Sequence, residues 1–224
     1  MAAHEAMWTA VDDYVERAVG TGDEDLERAL ARSAEAGLPP IAVSPAQGKL
    51  LHLLARAAGA RRVLEVGTLG GYSTIWLARA VAPEGRVVTL EVSEHHAHVA
   101  RQNVAHAGLF DVVDVLVGPA VDTLAGMDDD FDLVFIDADK PSNVAYVTAA
   151  LRLTHPGSVI VVDNVVRGGA VLDADGDASV QGVRQLHDLL AGEPRLSATT
   201  IQTVGAKGYD GFMLALVVDP SGER

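Results

Sequence analysis

The sequence predicts an α/β fold: a mostly parallel seven-stranded sheet with helices on both faces, an antiparallel last strand and an added set of N-terminal helices. Three observations predict it. From Arg62 onward, short apolar runs alternate with helix-length amphipathic stretches, the pattern of successive βαβ units. Two of the apolar runs end abruptly in oxygen-bearing side chains, at Asp137 and at Asp163-Asn164. Finally, Gly205-Ala206-Lys207-Gly208 is too short to carry a crossover and suits an antiparallel pair.

The first sixty residues read as helices over His4 to Val19, Asp23 to Ala36 and Pro45 to Ala58, broken at Gly20-Thr21-Gly22 and Gly37-Leu38-Pro39-Pro40. They precede the first strand and are expected to form a cap or a dimer arm. Trp8 and Tyr14 in the first helix could pack on the domain, face a second subunit or cover a substrate. Strands follow at Val63 to Val66, Val87 to Val92, Val112 to Val117, Phe131 to Asp137 and Ser158 to Asp163. Helices at 71–81, 94–107, 119–125 and 142–153 separate them. A helix near 178–191 leads to two last strands, Leu196 to Val204 and Gly211 to Val218, with Tyr209-Asp210-Gly211 at the start of the final one. No linker, repeat or low-complexity tract divides the 224 residues, so one domain over 1–224 is expected.

Composition narrows the function. Seventeen Lys and Arg against 31 Asp and Glu give a formal charge of -14, which repels phosphate backbones and argues against nucleic acid as a partner. No apolar run approaches a membrane span of roughly 20 residues, and the N-terminus lacks a signal-peptide pattern, so a cytoplasmic protein is expected. The absence of cysteine removes disulfides, thiolate metal sites and thiol nucleophiles. A small-molecule ligand is the expectation that remains.

Beyond the carboxyl ends of parallel strands lies the usual ligand crevice, and the motifs cluster there. Val63-Leu64-Glu65-Val66-Gly67-Thr68-Leu69-Gly70-Gly71-Tyr72-Ser73 is a strand, a glycine-rich turn and a helix start. Its G-x-x-G-G spacing is neither the dinucleotide fingerprint nor a phosphate loop with its lysine. Glu91 stands 24 residues after Gly67 at the next strand end, where an acid can accept hydrogen bonds from both ribose hydroxyls. Gly118-Pro119-Ala120 would let a flat base lie against the backbone. If the strands ending at Asp137 and Asp163 are neighbours, Asp137, Asp163 and Asn164 supply hard oxygen donors suited to Mg²⁺, with Mn²⁺ as a substitute. Lys140, three residues after Asp137, is a candidate general base, while Asp139 reads as a turn residue. Asp173-Ala174-Asp175-Gly176-Asp177 misplaces the glycine of a calcium loop and reads as an acidic loop. His95, His96 and His98 lack a metal spacing and read as surface residues.

On these motifs, together with Val43-Ser44-Pro45-Ala46-Gln47-Gly48, Phe131 to Lys140, Asp163-Asn164-Val165-Val166 and Gly208-Tyr209-Asp210-Gly211, the chain resembles the cation-dependent O-methyltransferases, which include catechol and caffeoyl-CoA O-methyltransferases and small bacterial relatives. The resemblance implies a Rossmann-like class I methyltransferase fold and S-adenosylmethionine as cofactor. It places Glu65, Gly67, Thr68 and Ser73 around the methionine part with Val43 beside them, Glu91 on the ribose and Ala120 near the adenine. It assigns Asp137, Asp163 and Asn164 to a Mg²⁺ (or Mn²⁺) ion, with Asp137 also beside the cofactor, and Lys140 and Asp137 to catalysis. The expected reaction is methyl transfer to a hydroxyl of a metal-chelated vicinal-diol, catechol-like aromatic, and a homodimer is expected because relatives are often dimers. Asn143-Val144 departs from the Asn-Tyr common in relatives. Tyr146, Trp8, Tyr14, Tyr209 and Val165 to Gly169 are candidate substrate walls, and Arg167 could meet either an acidic substrate group or a surface acid. A nicotinamide-dependent oxidoreductase and a non-catalytic S-adenosylmethionine-binding protein are the alternative readings.

Overall fold

A computed structural model describes residues 2–20 and 22–221. The helices are α1 (Ala2–Val19), α2 (Glu24–Glu35), α3 (Pro45–Ala57), α4 (Tyr72–Val81), α5 (Glu94–His106), α6 (Ala120–Gly126), α7 (Asn143–Arg152) and α8 (Ala178–Gly192). The strands are β1 (Arg62–Val66), β2 (Arg86–Glu91), β3 (Val113–Val117), β4 (Phe131–Ile136), β5 (Thr154–Asp163), β6 (Leu196–Gly205) and β7 (Gly208–Val217). They form one sheet of order β3-β2-β1-β4-β5-β7-β6, parallel except where β7 pairs with β5 and β6. This is the Rossmann-like architecture expected, with the order reversing beside β1 and so opening a crevice there.

Strand alternation builds two cores. Val63 of β1 and Leu133 and Phe135 of β4 face α3 and α4, whereas Leu64, Val134 and Ile136 face the opposite layer with Tyr146, Val147 and Val183. Phe131, Phe135, Leu64 and Ile136 are essentially inaccessible, and full burial of each such side chain stabilises the fold by about 1.5–3 kcal/mol. The helix starts follow capping chemistry. Asp23, Ser44, Ser93 and Asp177 accept backbone N–H bonds from the first turns of α2, α3, α5 and α8. In contrast, α4 begins at Gly71 (φ 81) without a side-chain cap.

Two strand starts lie several residues upstream of the sequence reading. β5 begins at Thr154 rather than Ser158, because a register irregularity between Phe131 and Leu133 lets Thr154 pair with Phe131. β7 begins at Gly208, so Tyr209 and Asp210 lie within the strand and the hairpin closes through Gly205 and Gly208. Short 3-10 turns at Lys140–Ser142 and Arg167–Leu172, too brief to leave a periodic signature, follow β4 and β5. Among the described residues, no helix is long and apolar enough to cross a membrane.

Candidate active site

The ends of β1, β2, β4 and β5 meet two adjoining cavities of about 470 and 430 Å³, which share Ile41, Gly67, Leu69 and Asp137 to Asp139 as a common wall. Gly67 is the pivot. At φ 103 it occupies the left-handed region, and a Cβ there would lie 2.1 Å from the Asp137 carbonyl oxygen. Only glycine lets the two strand ends approach so closely.

The first cavity is lined by Val43, Gly67, Thr68, Ser73, Asp137, Lys140, Asn164 and Arg167. The uncapped first turn of α4 opens into it through Tyr72 and Ser73, offering N–H groups and positive potential to a carboxylate. Glu65 stands behind this wall. It is fully buried, and its carboxylate accepts hydrogen bonds from Ser73 Oγ (2.6 Å), Thr74 Oγ1 (2.5 Å) and Thr89 Oγ1 (2.6 Å). Burial, only partly offset by these hydroxyls, pushes its carboxyl up to about 7. Glu65 therefore fixes the cradle from beneath and does not line the cavity.

The second cavity holds Glu91, Ala120 and Tyr146. Glu91 accepts the Leu69 N–H at 2.8 Å and the Ser93 N–H at 3.0 Å, which aims its carboxylate across the crevice mouth. His96, read from sequence as a surface residue, lines the same cavity with Nδ1 3.5 Å from Glu91 Oε1. His95 and His98 are exposed as expected. The clue to His96 was its position in the first turn of a helix starting three residues after Glu91. Tyr146 donates its hydroxyl to Asp139 Oδ1 at 2.5 Å, and the same carboxylate accepts Ser142 Oγ at 2.6 Å. Asp139 is thus a turn residue as expected, and burial, with the Asp139 contact adding to it, pushes the Tyr146 hydroxyl up to about 12. Trp8 is half-buried and Tyr14 exposed; with Tyr209 they line none of the cavities around the strand ends.

Pairing of Ile136 with Val162 brings the next residues of each strand, Asp137 and Asp163, to one sheet edge, with Asn164 beside them at φ 56. Asp163 is buried; its Oδ1 accepts the Asn164 N–H at 2.8 Å, and Gln47 of α3 also supports it. Burial and then the charge of Asp137 push the Asp163 carboxyl up to about 7. Two carboxylates crowded against an amide oxygen fit a divalent cation, whose charge would relieve that repulsion. No cluster of three His, Asp or Glu side chains is present among the described residues, so the fit rests on this two-acid, one-amide set. Lys140 is buried and donates Nζ to Asp137 Oδ1 at 3.0 Å. Gly182 of α8 packs so tightly on its turn that a Cβ would lie 2.2 Å from the Lys140 carbonyl oxygen.

The family profile described as O-methyltransferase matches residues 21–217. The chain belongs to the O-methyltransferase family. Catechol O-methyltransferase from Mycobacterium tuberculosis is 56% identical over 208 residues, covering 92% of this chain and 94% of that protein. Among solved structures, the Streptomyces achromogenes O-methyltransferase TomG, described as involved in tomaymycin synthesis and in complex with SAM, superposes with a TM-score of 0.93. It is 52% identical over 96% of this chain and 99% of its own. The Bacillus cereus O-methyltransferase in complex with SAH gives 0.92, at 53% identity over 95% of this chain and 99% of its own. Membership in this family removes the nicotinamide-dependent oxidoreductase reading for this O-methyltransferase.

Proposed function

We propose that this protein transfers a methyl group from S-adenosylmethionine to one hydroxyl of a catechol-like vicinal diol, with a divalent cation held by Asp137, Asp163 and Asn164. The observation that carries the reading is that Asp137, Asn164 and Lys140 line a cavity adjoining the one that contains Glu91, with Asp163 brought beside Asp137 by the pairing of Ile136 with Val162. The relatives crystallised with SAM and SAH, and the catechol O-methyltransferase relative, support it.

Each residue then has a task. Glu91 accepts the ribose hydroxyls, Ala120 offers a small apolar surface to the adenine, and Gly67, Thr68, Ser73 and Val43 surround the methionine part, braced by Glu65. Asp137 lies beside both ligands. When bound, Mg²⁺ or Mn²⁺ would acidify and orient two adjacent hydroxyls. Lys140, sheltered from water, acts as the neutral amine, with the cation in place of its ammonium then compensating Asp137, and takes the proton from the hydroxyl that attacks in line with the sulfonium methyl.

A methyl-transfer screen over catechols, hydroxycinnamates and polyphenols, with and without chelator, tests the reading; no transfer from S-adenosylmethionine to any of them would refute it. Calorimetric binding of S-adenosylmethionine without turnover would favour the non-catalytic alternative. We further infer that the chain acts as one domain in the cytoplasm on a small molecule, with residues 1–60, expected as a cap or a dimer arm, serving as the dimer arm. Exposed Met7, Val11, Tyr14 and Val15 on one side of α1 support that role, and light scattering at a monomer mass near 23.4 kDa would reject it.

A further inference from the structure

In the first cavity, each acid near the reaction centre already has a partner: Asp137 accepts from Lys140, and Asp139 accepts from Ser142 and Tyr146. Arg167 differs. It lines the same cavity and is half-buried, yet its guanidinium has neither an ion pair nor a hydrogen bond among the described residues. In a chain of formal charge -14, a mobile arginine would be drawn to a surface carboxylate. Among the described residues Arg167 pairs with none. Arg167 sits at φ 58, a conformation costly for a residue with a Cβ, and Asp210 Oδ1 clamps the turn by accepting the N–H groups of Val166 (3.0 Å) and Arg167 (2.8 Å). Gly168 (φ 63) and Gly169 (φ 93) continue the same left-handed path.

The clamped turn fixes where the side chain leaves the backbone at the cavity wall, and the guanidinium, unpaired among the described residues, is available to a ligand. Its planar fork matches a carboxylate. Arg167 follows Asn164 by three residues, on the β5 side of the crevice, whereas the open turn of α4 on the β1 side serves the carboxylate of a bound methionine group. We propose that Arg167 recognises a carboxylate on the acceptor, so that the preferred substrates are aromatic vicinal diols bearing an acidic substituent rather than neutral or cationic ones. This rests on the catechol-like reading above and deepens it.

The test is calorimetric binding of 3,4-dihydroxybenzoate and its isosteric amide to the full chain with S-adenosylhomocysteine and Mg²⁺, for wild type, Arg167→Lys and Arg167→Gln. The acid is expected to bind wild type on the order of tenfold more tightly than the amide. Arg167→Gln should bring the two within about twofold, Arg167→Lys should keep part of the preference, and affinity for S-adenosylhomocysteine should stay unchanged in both. Equal wild-type affinity for acid and amide, failure of both to bind, or parallel losses for the two in Arg167→Gln would overturn the proposal. So would weakened S-adenosylhomocysteine binding in that variant, which would assign Arg167 to the cofactor carboxylate. Methyl transfer followed alongside separates the two levels. An acid preference in binding without any transfer upholds Arg167 and sinks the reading of this diol as a methyl acceptor, whereas transfer without the preference does the reverse.

Discussion

Lys140 and Asp137 are joined by an ion pair of 3.0 Å that spans the first turn after β4, with the lysine side chain almost wholly enclosed. The pair holds the amine beside the oxygen-donor set, where a hydroxyl proton would be released. Lys140→Met is expected to lower kcat about 10²–10⁴-fold at neutral pH while S-adenosylmethionine still binds. Steady-state kinetics paired with calorimetry checks this, and a variant with full kcat removes the general-base role.

Asp163→Ala should abolish the response to divalent cations. For the wild type, added Mg²⁺ is expected to raise the thermal midpoint by mass action, and excess chelator to stop methyl transfer. In the variant, the midpoint should no longer respond to Mg²⁺. Wild-type transfer that continues undiminished in chelator would eliminate the metal assignment.

Gly67→Ala places a methyl group 2.1 Å from the Asp137 carbonyl oxygen in a left-handed conformation. Neither backbone can yield cheaply, so a loss of about 2–4 kcal/mol is expected. Urea unfolding measures it; a midpoint equal to wild type would mean that the two strand ends are not held as tightly as described.

Glu65 sets a pH dependence of stability. Its carboxyl is raised from 4.5 to about 7 in the folded chain, so its favourable contribution is complete below the unfolded value and is lost as pH rises through about 7. Relative to Glu65→Gln, the wild type should therefore weaken between about pH 5 and pH 8, by on the order of 3 kcal/mol at about 1.4 kcal/mol per unit. Urea titrations across that window test the sign. Parallel stability curves for the two proteins would contradict it.

The parallel sheet and both acid-bearing strand ends were legible in the sequence because each is a local pattern: an apolar run, then a polar stop. Glu91 was legible for the same reason, since its distance from Gly67 is a property of one βαβ unit. What stayed hidden depends on contacts between segments far apart in the chain. Gln47 reaches Asp163 only because α3 packs over the sheet edge, and His96 meets Glu91 through the angle at which α5 leaves β2. The sequence left Arg167 open between a substrate acid and a surface acid; its place on the cavity wall depends on a turn whose N–H groups are held by Asp210, 43 residues onward. Tyr146 was expected at the substrate wall, but its bond to Asp139 turns it toward the cavity of Glu91.

The close approach of Gly67 to Asp137 also divides the molecule by how freely it can diversify. The β1 and β4 ends are welded at that point, so a substitution on either disturbs both halves of the crevice. Residues 167–172 are bonded instead to Asp210 of β7 and Arg184 of α8. New acceptor ranges can therefore be grafted there as interchangeable parts while the methyl-donor machinery is inherited intact.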